Sequence, residues 1–263
     1  MVHAISPSGI VGMGALGRGI ESTITSAAFA SPPAVLFTVK AFDLKQALLE
    51  QADNWDPEIP FIILSNGFIW PVVDDVKFKL KKRPLRIGMT TIGSTIKPNG
   101  AVEVFSANTI TAWGNWGIQD SSPTKQELEL LHLFPRGQWF DDIRPMIRQK
   151  WLLNVVINTL TGVHHLQSNS LLVHHRKEAE QILAEAYKLA AILWKDLPWD
   201  ISAEEMTSKL WALVQATAGN ENSMAKDIRM KRRTESDYLA GIALQHEGFP
   251  LLKELHQEII LQK

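Results

Sequence analysis

The sequence contains no cysteine, which excludes disulfide bonds, thiol nucleophiles and cysteine-held metals. It also lacks any excess of charge. With a net charge of −1, no basic field advertises a nucleic acid or a membrane surface as partner. Apolar runs are short. The stretch 61–64 (FIIL) falls far below the roughly 20 residues that span a bilayer. The first ten residues have neither the basic nor the apolar region of a signal peptide, and internal repeats and low-complexity tracts are missing. These absences point to a cytoplasmic globular protein without membrane or nucleic-acid partners. What is present agrees: 263 residues, 45% hydrophobic and 21% charged, suit one large domain or two modest ones, each with its own core.

The two halves read differently. In the first, short apolar runs alternate with Gly, Pro and Asn. Residues 9–11 lead into a glycine cluster; 34–40 (AVLFTVK), 60–65 (PFIILS) and 85–91 (LRIGMTT) read as strands, with a helix over 44–52. Strand, helix, strand at this spacing predicts a parallel α/β sheet. Residues 101–105 and 109–113 read as a later antiparallel pair. Beyond Phe140 strand signals vanish, and helices are expected over 147–163, 178–195 and 203–218. A last helix is expected to open at Thr234, with Asp237 as capping partner, and to close at Gly248 and Pro250. The fold class is thus an α/β Rossmann-like domain over residues 1–140, apparently shortened, followed by an all-α domain over 141–263.

Gly12, Gly14 and Gly17 spell GxGxxG (GMGALG). Such a turn lets backbone approach a pyrophosphate and lets a helix pack on a strand, and the helix start offers free N–H groups to the phosphates. Taken alone the pattern is weak, since a glycine-rich turn explains it too. The usual acidic or basic residue at the end of a second strand is missing. Residues 21–33 read as no strand, and Asp43 reads as a helix-start residue.

The segment 148–163 (RQKWLLNVVINTLTGV) is more specific. Its apolar residues mark a buried helix, yet Lys150, Asn154 and Asn158 recur at every fourth position. Such a stripe drifts only about 80° and climbs about 12 Å, with Thr161 in the same arc. Mid-helix asparagines give up helix propensity, so a ligand-lining stripe competes evenly with a solvated face. A lysine there can donate a proton to a carbonyl oxygen once its pKa is adjusted. In 219–238, Asn220, Asn222, Ser223, Thr234 and Glu235 read separately as ordinary caps and a first-turn acid. His164, His165, His174 and His175 form adjacent pairs that diverge on a helix, and no HExxH accompanies them; no metal site is expected.

Together these segments resemble the ketopantoate reductase (2-dehydropantoate 2-reductase) family. GMGALG is similar to its opening glycine motif, VKAF with Lys40 to its strand-ending lysine, and SNG with Asn66 to its second cofactor motif. KWLLNVVINTLTG and NENSMAKDIRMKRRTESDYLAG are similar to its two hallmarks. The resemblance implies NADPH-dependent reduction of 2-dehydropantoate to pantoate, a step of pantothenate and coenzyme A biosynthesis. It implies Lys150 as general acid and Glu235 as its active-site partner. Asn154, Asn158, Asn169, Asn220 and Ser223 would bind the 2-oxo acid. Gly12, Gly14, Ala15, Leu16, Gly17, Lys40, Asn66 and Gly93 would hold NADP across the switch point of the sheet. A homodimer is compatible with it. The chain departs from the family in having only the 14 residues 20–33 between Gly19 and Ala34, and Asn158-Thr159 in place of asparagine-proline. The first departure leaves open NADPH against NADH. It also leaves open a non-catalytic binding protein on this scaffold, or a reductase of another branched 2-oxo acid.

Overall fold

The structure, a computed structural model, describes residues 9–262 apart from 13, 25–31, 81, 98, 106–108, 117–121 and 135. It divides into two compact units, Met1–Ile143 and Arg144–Lys263.

In the first unit the described elements are β1 (Ile10–Val11), α1 (Ala15–Ile24), β2 (Val35–Phe37), α2 (Ala41–Gln51), β3 (Phe61–Ile63), α3 (Trp70–Val76), β4 (Leu85–Thr90), β5 (Gly93–Ile96), β6 (Val102–Phe105), β7 (Thr111–Gly114), α4 (Lys125–His132) and β8 (Gly137–Phe140). Six strands form one sheet in the order β1-β2-β3-β4-β7-β8. The first four run parallel, β7 is antiparallel to β4, and β8 is parallel to β7. Val35–Phe37 and Phe61–Ile63 are buried throughout, as continuous apolar runs in a covered parallel sheet should be.

The expected pairing of 101–105 with 109–113 is not formed. β6 pairs with β5 in a separate two-stranded sheet, while β7 crosses to β4. Burial explains the choice. Trp113 is fully buried against the Phe134 ring at 5.9 Å, and the Thr90 and Thr111 hydroxyls meet at 2.8 Å between β4 and β7. Pairing β7 with the half-buried hairpin would take that indole away from Phe134 and the main core, forgoing part of roughly 2–3 kcal/mol of burial. Among the described residues β1 is an edge strand, so the sheet shows no reversal of strand order at the glycine turn. The expected switch point is therefore not seen, and residues 25–31, where a further strand was sought, lie outside the described residues.

Two buried arginines lock this unit. Arg86 donates from Nε to Glu127 Oε1 at 2.8 Å and from Nη1 to Asn115 Oδ1 at 2.7 Å. Glu127 also closes a capping box, its Oε2 accepting from the Thr124 N–H that opens α4. Arg83 donates to four carbonyls of the loop before β3, those of Ala52, Trp55, Asp56 and Ile59.

The second unit contains α5 (Arg144–Val163), α6 (Arg176–Leu193), α7 (Ala203–Ala216), α8 (Ser223–Arg229) and α9 (Pro250–Leu261), with 3-10 turns at Asn169–His175, Ser236–Tyr238 and Ala240–Gln245. Its centre is α5, with Trp151, Leu152, Val155, Val156 and Leu160 buried. Arg148 on the same helix is fully buried and donates to the carbonyls of Leu197 and Pro198 and to Asp200.

The expected helix from Thr234 to Gly248 breaks into the two 3-10 turns, and among the described residues the buried Thr234 hydroxyl has no partner instead of capping. Pro250 opens α9 rather than ending a helix. A proline in the first turn gives up an N–H that would be unpaired anyway and brings a preset φ; Leu252, Leu255 and Ile259 then supply the buried face. No helix of the described residues is long and apolar enough to cross a membrane.

Candidate functional site

In the first unit, the candidate cofactor residues other than Gly93 gather at the carboxyl ends of adjacent parallel strands. β1 runs into Gly12, whose φ of +94° strains any side chain; an added Cβ would also strike the Val39 backbone nitrogen. A Cβ on Gly17 would strike the Gly12 carbonyl oxygen and the Thr38 hydroxyl, so the third glycine is what lets α1 pack on the turn. Thr38 Oγ1 fastens the turn by donating to Gly12 O at 2.7 Å. Gly14 is different: it is exposed, and among the described residues a Cβ there would meet nothing within 4 Å. Open space before a backbone held rigid by its two neighbours is what a pyrophosphate requires. α1 starts at Ala15, and Leu16 packs partly buried against the core.

Lys40 follows β2 and opens α2, half-buried. Asn66 follows β3, and Gly67 turns the chain there with φ +91°. The Ser65 hydroxyl donates to Val39 O at 2.7 Å, tying these two strand ends together. Gly93 stands apart from them, in the separate hairpin where it pairs with Phe105.

In the second unit, α5 carries Lys150 and Asn154 half-buried and Asn158 buried. Desolvation of the Lys150 ammonium drops its pKa from the ordinary 10.5 to about 8, and the negative charge of Glu235 opposes that fall. Glu235, 4% exposed, stands immediately before the turn Ser236–Tyr238. The turn is held to α5 by the Trp151 indole, which donates to Tyr238 O at 3.2 Å.

Asn222 caps α8, its Oδ1 accepting from Met224 N–H, and its Nδ2 donates to Asn158 Oδ1 at 2.8 Å. Asn169 is buried; its Nδ2 donates to Thr217 Oγ1 at 2.8 Å and its N–H to Asn220 O at 3.0 Å. Among the described residues its Oδ1 is buried without a hydrogen-bond partner, an acceptor that a ligand hydroxyl would satisfy. Asn220 is exposed, and so is Ser223, the first residue of α8. The structure thus brings together Lys150 with Glu235, Asn158 with Asn222, and Asn169 with Asn220. Thr161, expected in the stripe, is fully buried and donates back to Ile157 O at 2.6 Å, so it offers nothing to a ligand. Asn222 and Thr217 are the residues that sequence reasoning passed over. Asn222 read as a simple cap, and nothing in the sequence singles out Thr217.

A Rossmann-like α/β unit with a rigid glycine turn, joined to an all-α unit carrying a desolvated lysine near a buried glutamate, defines the class. The chain belongs to the ketopantoate reductase family. The model of "Ketopantoate reductase PanE/ApbA" matches residues 20–117, downstream of the glycine turn, and that of its C terminal part matches residues 142–246. A 2-dehydropantoate 2-reductase of Shigella flexneri is 30% identical over 211 residues, 80% of this chain. The aligned part is 66% of that protein's length, just under two thirds. Among solved structures, a probable 2-dehydropantoate 2-reductase from Bacillus subtilis superposes with TM-score 0.69 at 19% identity, covering 90% of this chain and 80% of that one. A D-mandelate dehydrogenase in complex with NADH superposes with TM-score 0.78 at 18% identity over 96% and 97% of the two chains. These last two show the shared fold.

Proposed function

We propose that this chain reduces a 2-oxo acid to the 2-hydroxy acid with a nicotinamide dinucleotide, ketopantoate being the first substrate to try, as a cytoplasmic step towards pantothenate. The observation that carries the reading is the Lys150 ammonium. Burial brings its pKa to about 8, so at neutral pH it holds a proton and yet releases it readily, the condition for a general acid.

The residues at the strand ends fit a dinucleotide. Gly12, Gly14, Ala15, Leu16 and Gly17 would hold its pyrophosphate, with Lys40 and Asn66 beside it and Gly93 more remote. A nicotinamide dinucleotide held there would supply the hydride that reduces the substrate carbonyl. Lys150 then donates its proton to the developing alkoxide oxygen. Glu235 keeps the ammonium charged and oriented and accepts a substrate hydroxyl. Asn154, Asn158, Asn169, Asn220 and Ser223 bind the carboxylate and hydroxyl groups, Asn169 through its unpartnered Oδ1. A structural relative is described as a dimeric ketopantoate reductase of Staphylococcus aureus, which supports a homodimer here.

The test is oxidation of NADPH and, in parallel, of NADH with ketopantoate, by wild type and Lys150→Ala. Turnover that collapses in the variant while its circular dichroism is unchanged supports the reading. Tryptophan quenching by neither nucleotide would overturn it in favour of a non-catalytic binding protein. A second reading takes the same chemistry to another 2-oxo acid with NADH. It is favoured by the end-to-end superposition on the NADH-bound D-mandelate dehydrogenase and is decided by a panel including phenylglyoxylate.

A further inference from the structure

Adjacent histidines on a helix point apart, yet the fold joins one member from each of two pairs. α5 ends at Val163, and His165 with φ of 51° reverses the chain directly after His164. The turn Asn169–His175 then delivers His175 to the N-cap of α6, with Glu178 in its first turn. His164 Nε2 lies 2.9 Å from Glu178 Oε2, and His175 Nδ1 lies 3.4 Å from the same oxygen. The three ligand atoms all fall within 4.8 Å of one another. The side chains are 29%, 27% and 40% exposed, and a surface groove lined by His174, His175, Lys177, Glu178 and Gln181 gives access.

We infer that His164, His175 and Glu178 form a binding site for a borderline divalent transition metal, Zn2+ above all. Tetrahedral zinc with bonds of about 2.0–2.2 Å sets its ligand atoms about 3.3 Å apart. The two spacings of 2.9 and 3.4 Å bracket that value. Two imidazoles and a carboxylate suit Zn2+, Ni2+ or Cu2+, whereas Ca2+ and Mg2+ prefer oxygen alone. Solvent from the groove supplies the fourth ligand. A helix-start ion pair explains a glutamate at this position and a single histidine on it. It does not explain two ring nitrogens converging on one oxygen. The rings now stack, centroids 3.8 Å apart with 21° between planes. An imidazole binds a metal in its own plane, so chelation turns one ring out of the stack. The ion joins the two ends of segment 164–178, which contains Asn169, and stabilises the folded chain by binding it selectively.

The experiment is titration of the full, untagged chain with ZnCl2 and with NiCl2 at neutral pH, by calorimetry and by thermal melting. One ion per chain and a higher Tm with Zn2+ are expected. His175→Ala and Glu178→Gln should each weaken binding by about tenfold or more, while His174→Ala and His165→Ala leave it unchanged. Should an alanine variant fail to fold, isosteric Glu178→Gln carries the comparison. Absence of both binding heat and a Tm shift with either ion overturns the site, and so does undiminished affinity in Glu178→Gln. The outcome is independent of the reductase reading, which none of these measurements addresses.

Discussion

Asn222 reaches from the start of α8 to Asn158 on α5, Nδ2 to Oδ1, at 2.8 Å. The direction of this bond is fixed by the backbone. Asn222 Oδ1 must accept from Met224 N–H, so its amide nitrogen faces Asn158 and selects the Asn158 oxygen. On the proposed reading, the Asn158 amide nitrogen is thereby left to donate to substrate. Asn222→Ser keeps a capping hydroxyl but cannot span to Asn158. Its Tm should stay near wild type while KM for the 2-oxo acid rises roughly tenfold, equivalent to about 1.4 kcal/mol. Asn222→Ala should show the same KM and lose about 1 kcal/mol of stability besides. An unaltered KM in the serine variant refutes the positioning role.

With Lys150 as the acid of the proposed reduction, its pKa near 8 gives that reaction a pH dependence of definite sign. The acid must be protonated, so kcat for reduction should hold at neutral pH and fall as pH rises through about 8. The reverse oxidation should rise over the same window. Glu235→Gln removes the charge that raises this pKa, so the alkaline limb should move to lower pH. A limb that stays in place in this variant would show that Glu235 does not set the lysine's charge.

Gly14 and Gly17 should fail differently. Gly17→Ala drives a methyl into the Gly12 carbonyl and should lower stability by roughly 1–3 kcal/mol, the range for overpacking. Gly14→Ala meets no atom within 4 Å among the described residues; its melting curve should match wild type while dinucleotide affinity drops by about tenfold. Fluorescence titration and calorimetric melting separate the two, and tight nucleotide binding by Gly14→Ala would count against the pyrophosphate site.

Glu127 serves both Arg86 and the cap of α4, with its side chain fully buried. Glu127→Ala strands the arginine's charge and should cost about 3–5 kcal/mol. The double change Arg86→Met with Glu127→Leu should recover much of that loss, because no charge is then left buried. Urea denaturation of the two variants measures the difference. Equal loss in both would mean that the capping bond, and not the charge pair, is what matters.

The strands 34–40 and 60–65 were legible because apolar runs bounded by Pro, Gly and Asn have few alternatives to a covered parallel strand. The helix carrying Lys150 was legible from its period. The partners of β6 and β7 were not, since cross-strand choice depended on where Trp113 could be buried. Pro250 was misread because a proline marks either end of a helix until the following apolar face is weighed. Glu235 was tied to Lys150 only through family resemblance. The trio His164, His175 and Glu178 was invisible because a positive φ and a 3-10 turn, neither marked by glycine, bring it together.

Thr159 stands where the family pattern has proline, and its hydroxyl bonds to Val155 O within an unbroken α5. The helix therefore acts as a ruler. Lys150, Asn154 and Asn158 are graduations about 6 Å apart along a stiff rod, unable to slide past one another at a kink. On the reading proposed above, an acid whose polar groups match that pitch would engage two marks at once and a longer or bulkier one would forfeit a mark, so the helix itself would discriminate substrate length.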